Sequence, residues 1–134
     1  MTFLDSNVFV YFADGRDSAK RLVARAIIAD AIGNPNFLIS TQVLNEFASV
    51  ALKKLSMTED DVRGYVEEFM HIRTIGQRTE WTTRALEIKK ACGLQFYDSL
   101  LIAAAEANDC DEMMSEDLTD GRTYCGVKIV NPFV

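Results

Sequence analysis

The chain opens with an apolar stretch that a short polar group interrupts. Residues 1–4 are mostly apolar, Asp5, Ser6 and Asn7 are polar, and residues 8–12 are apolar again. This pattern predicts a buried strand that ends at a carboxylate and is followed by a short helical turn. Because open parallel sheets bind ligands beyond the carboxyl ends of their strands, we expect Asp5 to point into a cleft.

Apolar residues then recur at helical and strand spacings along the rest of the chain. The predicted elements, in order, are a helix over 18–32, a strand over 37–39, helices over 41–55 and 58–72, a strand over 73–78, helices over 80–92 and 96–108, and strands over 112–115 and 127–130. Residues 121–126 are predicted to be a loop. This alternation of strands and helices is typical of a parallel α/β sheet.

Small polar residues stand where these helices begin. The predicted N-terminal caps are Asp17 or Ser18, Ser40 or Thr41, Thr58, and Thr79. The helices over 41–55 and 58–72 are close in sequence, so we expect them to form an antiparallel hairpin. Exposed apolar surface on that hairpin would suit a dimer or partner contact.

Length and composition indicate an ordinary globular protein. The 134 residues suffice for one domain with its own core, and 49% of them are hydrophobic. No apolar run approaches the roughly 18 residues that cross a bilayer. The N-terminus lacks the basic region and the small-residue cleavage site of a signal peptide. We therefore expect a single domain over residues 1–134, located in the cytosol.

Cysteine and histidine chemistry is not favoured. Cys92, Cys110 and Cys125 are odd in number and lack Cys-x-x-Cys spacing, which argues against a disulfide framework or a zinc site. We expect buried free thiols. His71 is the only histidine, so a Ser-His-Asp or Cys-His site would depend on it, and we interpret it as an ordinary helix residue.

The net charge limits the kinds of nucleic-acid contact. The chain has 20 acidic and 14 basic residues, which gives a charge of −6. Broad, sequence-independent binding needs many lysines and arginines to displace counterions, so it is disfavoured. An enzyme whose acids hold divalent metals remains compatible. Arg16, Lys20 and Arg122 are candidate substrate contacts, with solvated surface as the preferred interpretation.

Four acids lie where the pattern expects buried or strand-end residues. Asp5 and Asp117 follow predicted strands, Glu46 interrupts an apolar helix face, and Asp98 lies in the first turn of its helix. Those places share one edge of a parallel sheet, so we expect the four carboxylates to converge. Each acid alone also has a structural interpretation as a turn residue, a helix-terminal charge, a loop acid or half of an ion pair.

Converging carboxylates point to a particular chemistry. Four like charges in one pocket need a counter-charge, and ligands that are all oxygen prefer Mg2+ or Mn2+ to zinc. Such ions bind a scissile phosphate, lower the pKa of a bound water and stabilise the leaving oxygen, which suits phosphodiester hydrolysis. Ser6, Asn7 and Ser115 are candidates for supporting hydrogen bonds or water-mediated ligation.

The acids stand in motifs whose order resembles that of the PIN-domain ribonucleases. These motifs are Asp5-Ser6-Asn7-Val8, Asn45-Glu46, Tyr97-Asp98-Ser99 with the apolar run that follows it, and Ser115-Glu116-Asp117. The ending Asn131-Pro132-Phe133 is similar to the toxin branch of that family, the VapC-type proteins of toxin–antitoxin pairs. The resemblance covers essentially the whole chain.

The resemblance implies a three-layer α/β/α PIN-like fold with a parallel sheet of about five strands. It also implies a metal-dependent endoribonuclease that leaves 5′-phosphate and 3′-hydroxyl ends. By matched position, the catalytic acids and ligands of Mg2+ or Mn2+ are Asp5, Glu46, Asp98 and Asp117. Asp117 is preferred to Glu116 and Asp120 because Ser115-x-Asp117 matches the Ser/Thr-x-Asp pattern of the family. The implied partners are an RNA substrate, a second copy of the chain, and a VapB-type antitoxin that places an arginine or lysine in the acidic pocket.

Other functions fit the sequence less well. A catalytically silent module of the same fold, acting through a protein or RNA partner, is the main alternative. A phosphatase with an Asp-x-Asp nucleophile is disfavoured because Asn7 stands in place of the second acid. A phosphoaspartate receiver would need paired acids after the first strand and a later strand-end lysine. Glycine-rich nucleotide-binding loops are absent.

Overall fold

A pair of helices follows each of the first three strands, and the last three strands are consecutive, in a computed structural model that describes all of residues 1–134. In chain order the elements are β1 (Thr2–Leu4), α1 (Ser6–Ala13), α2 (Ser18–Ala31), β2 (Phe37–Ser40), α3 (Thr41–Lys54), α4 (Glu59–Phe69), β3 (Thr74–Ile75), α5 (Thr79–Cys92), α6 (Phe96–Ala107), β4 (Glu112–Met114), β5 (Thr123–Tyr124) and β6 (Val127–Val130). None of the helices has the length and apolar content needed to span a bilayer.

The strands form one sheet in the order β3-β2-β1-β4-β6-β5. All neighbours are parallel except β5, which runs antiparallel to β6. Every residue of β2 is buried. Because successive strand residues face opposite sides of a sheet, helices must cover both faces. The predicted α/β fold class is confirmed.

The edge of the sheet differs from the prediction. Residues 121–126 were expected to be a loop, but Thr123 and Tyr124 pair with Lys128 and Val127 of β6. The sheet therefore has six strands rather than five. A two-residue strand has no alternating pattern from which it could be predicted. The turn into β6 is made by Cys125 and Gly126, whose φ angles are positive.

The segment after Asp5 is a helix of eight residues rather than a short turn. The Asp5 side chain accepts a hydrogen bond from the first amide of α1, and α1 packs against both α2 and α3. Contacts on more than one side explain why α1 is apolar on several faces, a pattern that hides the helical period from a sequence-based analysis.

The four predicted helix starts lie within one residue of the observed ones, and two of the predicted caps make a side-chain hydrogen bond. Asp17 accepts from the Lys20 amide, and Thr58 accepts from the Asp61 amide. Ser40 is the N-cap of α3, as predicted, but its side chain makes no cap hydrogen bond. The expected cap Thr79 is instead the first residue of α5, with Arg78 before it.

An aromatic cluster lies where α1, α3 and α4 meet. Phe9, Phe12, Phe47 and Tyr65 surround Phe69, with ring centroids between 4.7 and 6.0 Å from it. Phe47 in α3 contacts both Tyr65 and Phe69 in α4, which is the pairing expected of the predicted antiparallel hairpin. The buried apolar residues form one connected core. The assignment of residues 1–134 to a single domain stays a prediction.

The thiol and imidazole groups differ from two expectations. All three cysteines are free, but only Cys110 is buried, and Cys92 and Cys125 are partly exposed. Cys92 ends α5, and Cys125 lies in the turn before β6. His71 is exposed and lies beyond the end of α4 rather than inside it, because the helix stops at Phe69. None of these side chains lies at the site described below.

Candidate active site

Two parallel strands bring the first pair of site residues together. In the pairing of β1 with β4, Leu4 lies opposite Met114, so Asp5 and Ser115 follow the strands at the same edge of the sheet. The Asp5 amide donates to the Met114 carbonyl at 3.0 Å. The Ser115 hydroxyl donates to Asp5 Oδ2 at 2.7 Å. The register of the sheet therefore fixes the position of the Asp5 carboxylate.

The Asp5 carboxylate is buried, and every group that donates a hydrogen bond to it is neutral. Asp5 is only 2% exposed, and its other oxygen, Oδ1, accepts from the Ser6 amide at 2.6 Å. Burial raises the pKa of Asp5 to about 6, and the charges of Asp117 and Asp98 act in the same direction. A buried carboxylate with no cationic partner is costly to keep ionised.

Glu46 reaches the same region from α3. This helix starts at Thr41, directly after β2, so its first turns also lie at the carboxyl edge of the sheet. Gln42, one turn earlier, donates from Nε2 to Glu46 Oε1 at 3.1 Å. Burial first, and then the charge of Asp5, raise the pKa of Glu46 to about 7. The Glu46 carboxyl group is therefore only partly ionised near neutral pH in the protein without a metal ion.

Asp98 lies in the first turn of α6. Burial and the charge of Asp117 raise the pKa of Asp98 above its usual range. The Tyr97 carbonyl, one residue earlier, accepts from Gln42 Nε2 at 3.1 Å. Gln42 thus ties the helix that carries Glu46 to the helix that carries Asp98.

Three acids follow β4, namely Glu116, Asp117 and Asp120. The first of them belongs to a hydrogen-bond network separate from the other site acids. Glu116 forms an ion pair with Lys20 Nζ at 2.7 Å. It also accepts from the Tyr11 hydroxyl at 2.6 Å. Both carboxylate oxygens of Glu116 are therefore satisfied by a cation and a phenol on the first two helices.

The two remaining acids also have different surroundings. Asp120 accepts from the Asn131 amide at 2.8 Å, and so supports the chain after β6. Asp117 accepts from Asn7 Nδ2 at 3.3 Å, and its amide donates to Ser115 Oγ at 3.2 Å. Of these two acids and Glu116, only Asp117 lines a cavity together with other predicted site acids.

A cavity of about 680 Å3 lies among these elements, and we call it the acidic cavity. Glu46, Asp98 and Asp117 line it, whereas Asp5 is buried and contributes its charge without lining it. The structure thus gathers acids from four segments of the chain around one region. Glu46 comes from α3, Asp98 from α6, and the other two from the ends of β1 and β4.

The acids have no basic partner, and they are spaced apart. None of the ion pairs of the chain involves Asp5, Glu46, Asp98 or Asp117. No three acidic, histidine or cysteine side chains come close enough, as they stand, to hold one metal ion. Mutual repulsion favours this spacing. Oxygen donors carrying uncompensated charge fit a hard divalent cation such as Mg2+ or Mn2+.

The predicted supporting residues lie next to these acids. Ser115 Oγ connects the Asp5 carboxylate to the Asp117 amide. Ser6 donates its amide to Asp5, with its hydroxyl 3.4 Å from the same oxygen. Asn7 donates to Asp117, while its own Oδ1 is buried without a partner.

The three basic residues weighed as candidate substrate contacts, for which solvated surface is the preferred interpretation, already have partners within the chain. Arg16 pairs with Asp14 at 2.8 Å, and Lys20 pairs with Glu116. The Arg122 guanidinium lies 4.9 Å from the centre of the Tyr124 ring.

Two residues near the site were not singled out by the sequence analysis. Gln42 could have been found from its position four residues before Glu46 on the same helix face. Lys54, at the end of α3, lines a cavity with Asp117 and makes no ion pair. No sequence signal distinguishes Lys54 from Lys53.

The chain is similar to a known protein family and to several solved structures. A family model described as PIN domain matches residues 2–119. No curated protein matches the sequence significantly. Among solved structures, VapC20 of Mycobacterium tuberculosis, described as a toxin that cleaves the sarcin–ricin loop, has a TM-score of 0.69 at 14% identity over 87% of this chain and 92% of that one.

Two further solved structures have similar folds. A toxin–antitoxin complex from Klebsiella pneumoniae has a TM-score of 0.69 at 19% identity over 98% of each chain. VapBC2 from Rickettsia felis, bound to a DNA fragment from its promoter, has a TM-score of 0.67 at 15% identity over 96% of each chain. At these identities the likeness is one of fold.

Proposed function

The chain belongs to the PIN-domain family, and from that premise we propose that it is a metal-dependent endoribonuclease and the toxin of a toxin–antitoxin pair. The observation that carries this proposal is the acidic cavity, where acids from four segments gather without a basic partner. One protein of the same fold is described as a toxin that cleaves an RNA loop, which supports RNA as the substrate class.

In the proposed site, Mg2+ or Mn2+ is held by Asp5, Glu46, Asp98 and Asp117. When bound, such an ion supplies charge stabilisation for the phosphate and lowers the pKa of the attacking water. The hydroxyl of Ser115 holds one oxygen of Asp5, and the amide of Gln42 holds one oxygen of Glu46. These bonds restrict the orientations of the Asp5 and Glu46 carboxylates.

A second cavity gives the RNA backbone a place to bind. This cavity, of about 310 Å3, shares Asp117 with the acidic cavity, and Asp14, Arg16 and Lys54 also line it. Because Arg16 is paired with Asp14, Lys54 is the one cation of the lining without an acidic partner, and we call the cavity the basic cavity after it. Lys54 has no acidic partner, so it is available to a phosphate. We place the phosphate next to the scissile one at this cavity.

The unpaired negative charge also fits a protein partner. An arginine or lysine that enters the acidic cavity would form charge-assisted hydrogen bonds with its carboxylates. Two structures of the same fold are of toxin–antitoxin complexes, which supports a VapB-type antitoxin as this partner.

We further propose that the protein is a homodimer through the α3–α4 hairpin. Leu52 and Met70 are 43% and 58% exposed there, and with Val62 and Val66 they line a groove of about 460 Å3. Sedimentation should give the mass of a dimer for the wild type and that of a monomer for Met70→Lys. A monomeric wild type would contradict this part of the proposal.

RNA cleavage in Mg2+ or Mn2+ tests the nuclease. Asp98→Asn keeps the shape of the side chain but removes its charge, and we expect it to lose activity. The matched control is Asp109→Asn, because Asp109 is exposed just beyond the same helix and its positive φ suits asparagine. We expect Asp109→Asn to cleave RNA at the wild-type rate.

Three results would count against the nuclease. Cleavage by Asp98→Asn equal to that of the wild type would exclude the proposed site. No cleavage by the wild type with either metal would exclude the activity. RNA that binds the wild type with both metals present but stays intact would favour the catalytically silent module.

A further inference from the structure

A pocket beside the acidic cavity is lined by amide and hydroxyl groups, of which the proposed chemistry uses only the Gln42 amide. This amide pocket has a volume of about 480 Å3, and its uncharged polar lining includes Gln42, Asn45, Ser49 and Gln77. It shares Glu46 and Tyr97 with the acidic cavity, so the two are contiguous. A strand whose phosphate lies among the acids can therefore extend into it.

Gln42 is the buried member of the pocket. It is 8% exposed, and its Nε2 donates to Glu46 Oε1 and to the Tyr97 carbonyl, each at 3.1 Å. These two bonds use both hydrogens of the amide and fix the direction in which it points. Its Oε1 is left buried with no donor. Buried acceptors without a donor are uncommon in folded proteins, so this oxygen is an acceptor that the protein itself leaves without a partner.

Tyr97 supplies an aromatic surface at the mouth of the pocket. Its side chain is 64% exposed, although it is one of the large apolar groups of the chain. It packs edge-on against Phe96, with the ring centroids 5.3 Å apart, and most of its own ring stays accessible. An accessible ring beside a polar pocket is a stacking surface for a flat ligand.

We propose that the amide pocket binds a nucleobase of the RNA next to the cut, an inference that rests on the proposed nuclease function. Proteins bind single-stranded RNA bases by stacking them on aromatic rings and by hydrogen bonds to their polar edges. A phosphate fits this pocket poorly, because Glu46 is its only charged lining residue. The amides of Asn45 and Gln77 offer both donors and acceptors, so the pocket discriminates among bases.

Cleavage of short RNAs that carry each of the four bases, or no base, on either side of the cut tests the pocket. Stacking of a base on an aromatic ring stabilises the bound RNA. We therefore expect the wild type to cleave the RNA that lacks a base on one particular side of the cut about 5-fold to 150-fold more slowly than the intact RNA. Tyr97→Leu should cleave intact and abasic RNA at similar rates. Tyr97→Phe keeps the ring, so it should keep the discrimination.

Binding of free nucleosides gives a second readout that involves no metal and no cleavage. Adenosine, guanosine, cytidine and uridine carry no phosphate, so in EDTA neither the acidic nor the basic cavity attracts them. We expect at least one nucleoside to shift the NMR signals of the side-chain amides of Gln42, Asn45 and Gln77. Tyr97→Leu should lose these shifts.

The outcomes separate this inference from the nuclease itself. RNA cleavage with no base discrimination and no nucleoside shift would overturn the pocket and leave the nuclease intact. Nucleoside shifts without any RNA cleavage would support the pocket and count against the nuclease. An arginine- and lysine-rich peptide that shifts the same amide signals, when nucleosides do not, would assign the pocket to a protein partner and overturn the inference.

Discussion

At the scale of single residues, Asp5 combines two roles that oppose each other. As the N-cap of α1 it satisfies a backbone amide, which favours its charged form, and burial favours its neutral form. Burial prevails, because the raised pKa of about 6 persists in spite of hydrogen bonds from Ser6 and Ser115. The fold therefore holds a carboxyl group whose charge is poorly compensated in the metal-free protein.

This balance predicts that the metal-free protein loses stability as the pH rises from about 4 to 7. The folded-state pKa values of Asp5 and Glu46, about 6 and about 7, lie above their ordinary values. In this range the folded protein binds more protons than the unfolded chain, so the free energy of unfolding falls with rising pH. For Asp5 alone the difference is about 3 kcal/mol, or roughly 10 °C in Tm.

Thermal unfolding in EDTA at a series of pH values measures this effect. Asp5→Asn cannot ionise, so its Tm should fall less than that of the wild type over the same range. An identical pH dependence in the two proteins would show that Asp5 is not the group responsible.

The neighbouring acids Glu116 and Asp117 make a matched pair of substitutions. We expect Asp117→Asn to reduce RNA cleavage by about 100-fold or more, because it removes a charge from the acidic cavity. Glu116→Gln should keep the cleavage rate and slightly lower the Tm, because Lys20 and Tyr11 lose a charged acceptor. Loss of cleavage in Glu116→Gln with Asp117→Asn active would reverse the choice between the two acids. The cleavage rate at saturating RNA and the Tm of each variant measure these effects.

At the scale of elements, α3 organises the largest share of the site. Its first turn holds β3 through a hydrogen bond from the Thr41 hydroxyl to the Ile75 carbonyl at 3.2 Å. Gln42 lies in the same turn, Glu46 lies in the next, and Lys54 ends the helix at the basic cavity. Glu46 and Lys54 are about 12 Å apart along the helix axis. One helix thus spans the distance between the proposed sites of the reacting phosphate and of a neighbouring one.

The two lysines at the end of α3 allow a controlled test of this placement. Lys54 lines the basic cavity and Lys53, equally exposed, does not. We expect Lys54→Gln to raise KM for RNA and to reduce the salt dependence of binding by about 0.7 in the slope of log K against log salt. Lys53→Gln makes the same charge change and should leave both quantities unchanged. Equal effects of the two substitutions would show that the lost positive charge, and not the position of Lys54, causes the change.

Some elements could be predicted from the sequence and others could not, for physical reasons. The helices α2 and α3 follow from apolar residues at helical spacing, and β6 over Val127–Val130 follows from its apolar run between glycine and asparagine. The strand β5 has two residues, too few to show a period, and the strand predicted over 73–78 is confirmed as β3 but is only two residues long. Their pairing is decided by neighbours that are distant in sequence.

The residues of the candidate site also divide into those that the sequence predicts and those that only the structure shows. The acids could be predicted because a charge at a strand end or within an apolar helix face is conspicuous. The spacing of Gln42 from Glu46 places the two on one helix face, but only the packing of α3 shows that Gln42 is buried against α6 and that Lys54 borders a cavity.

At the scale of the whole molecule, stability depends on the aromatic cluster that joins α1, α3 and α4. Phe69 is fully buried at its centre. We expect Phe69→Ala to lower the free energy of unfolding by about 3–5 kcal/mol, because the cavity it leaves cannot close fully. Leu22→Ala, at a side chain that is 72% exposed, should change it by no more than about 0.5 kcal/mol. Unfolding in urea measures both, and equal losses would contradict this account of the core.

The hydrogen bond from Ser115 to Asp5 joins residues that are 110 positions apart. A ribosome makes Asp5 110 residues before Ser115. The four acids therefore cannot assemble on a nascent chain until residues 112–117 have left the exit tunnel and β4 has inserted beside β1. Under the proposed function, translation itself delays the appearance of nuclease activity until that segment has been made.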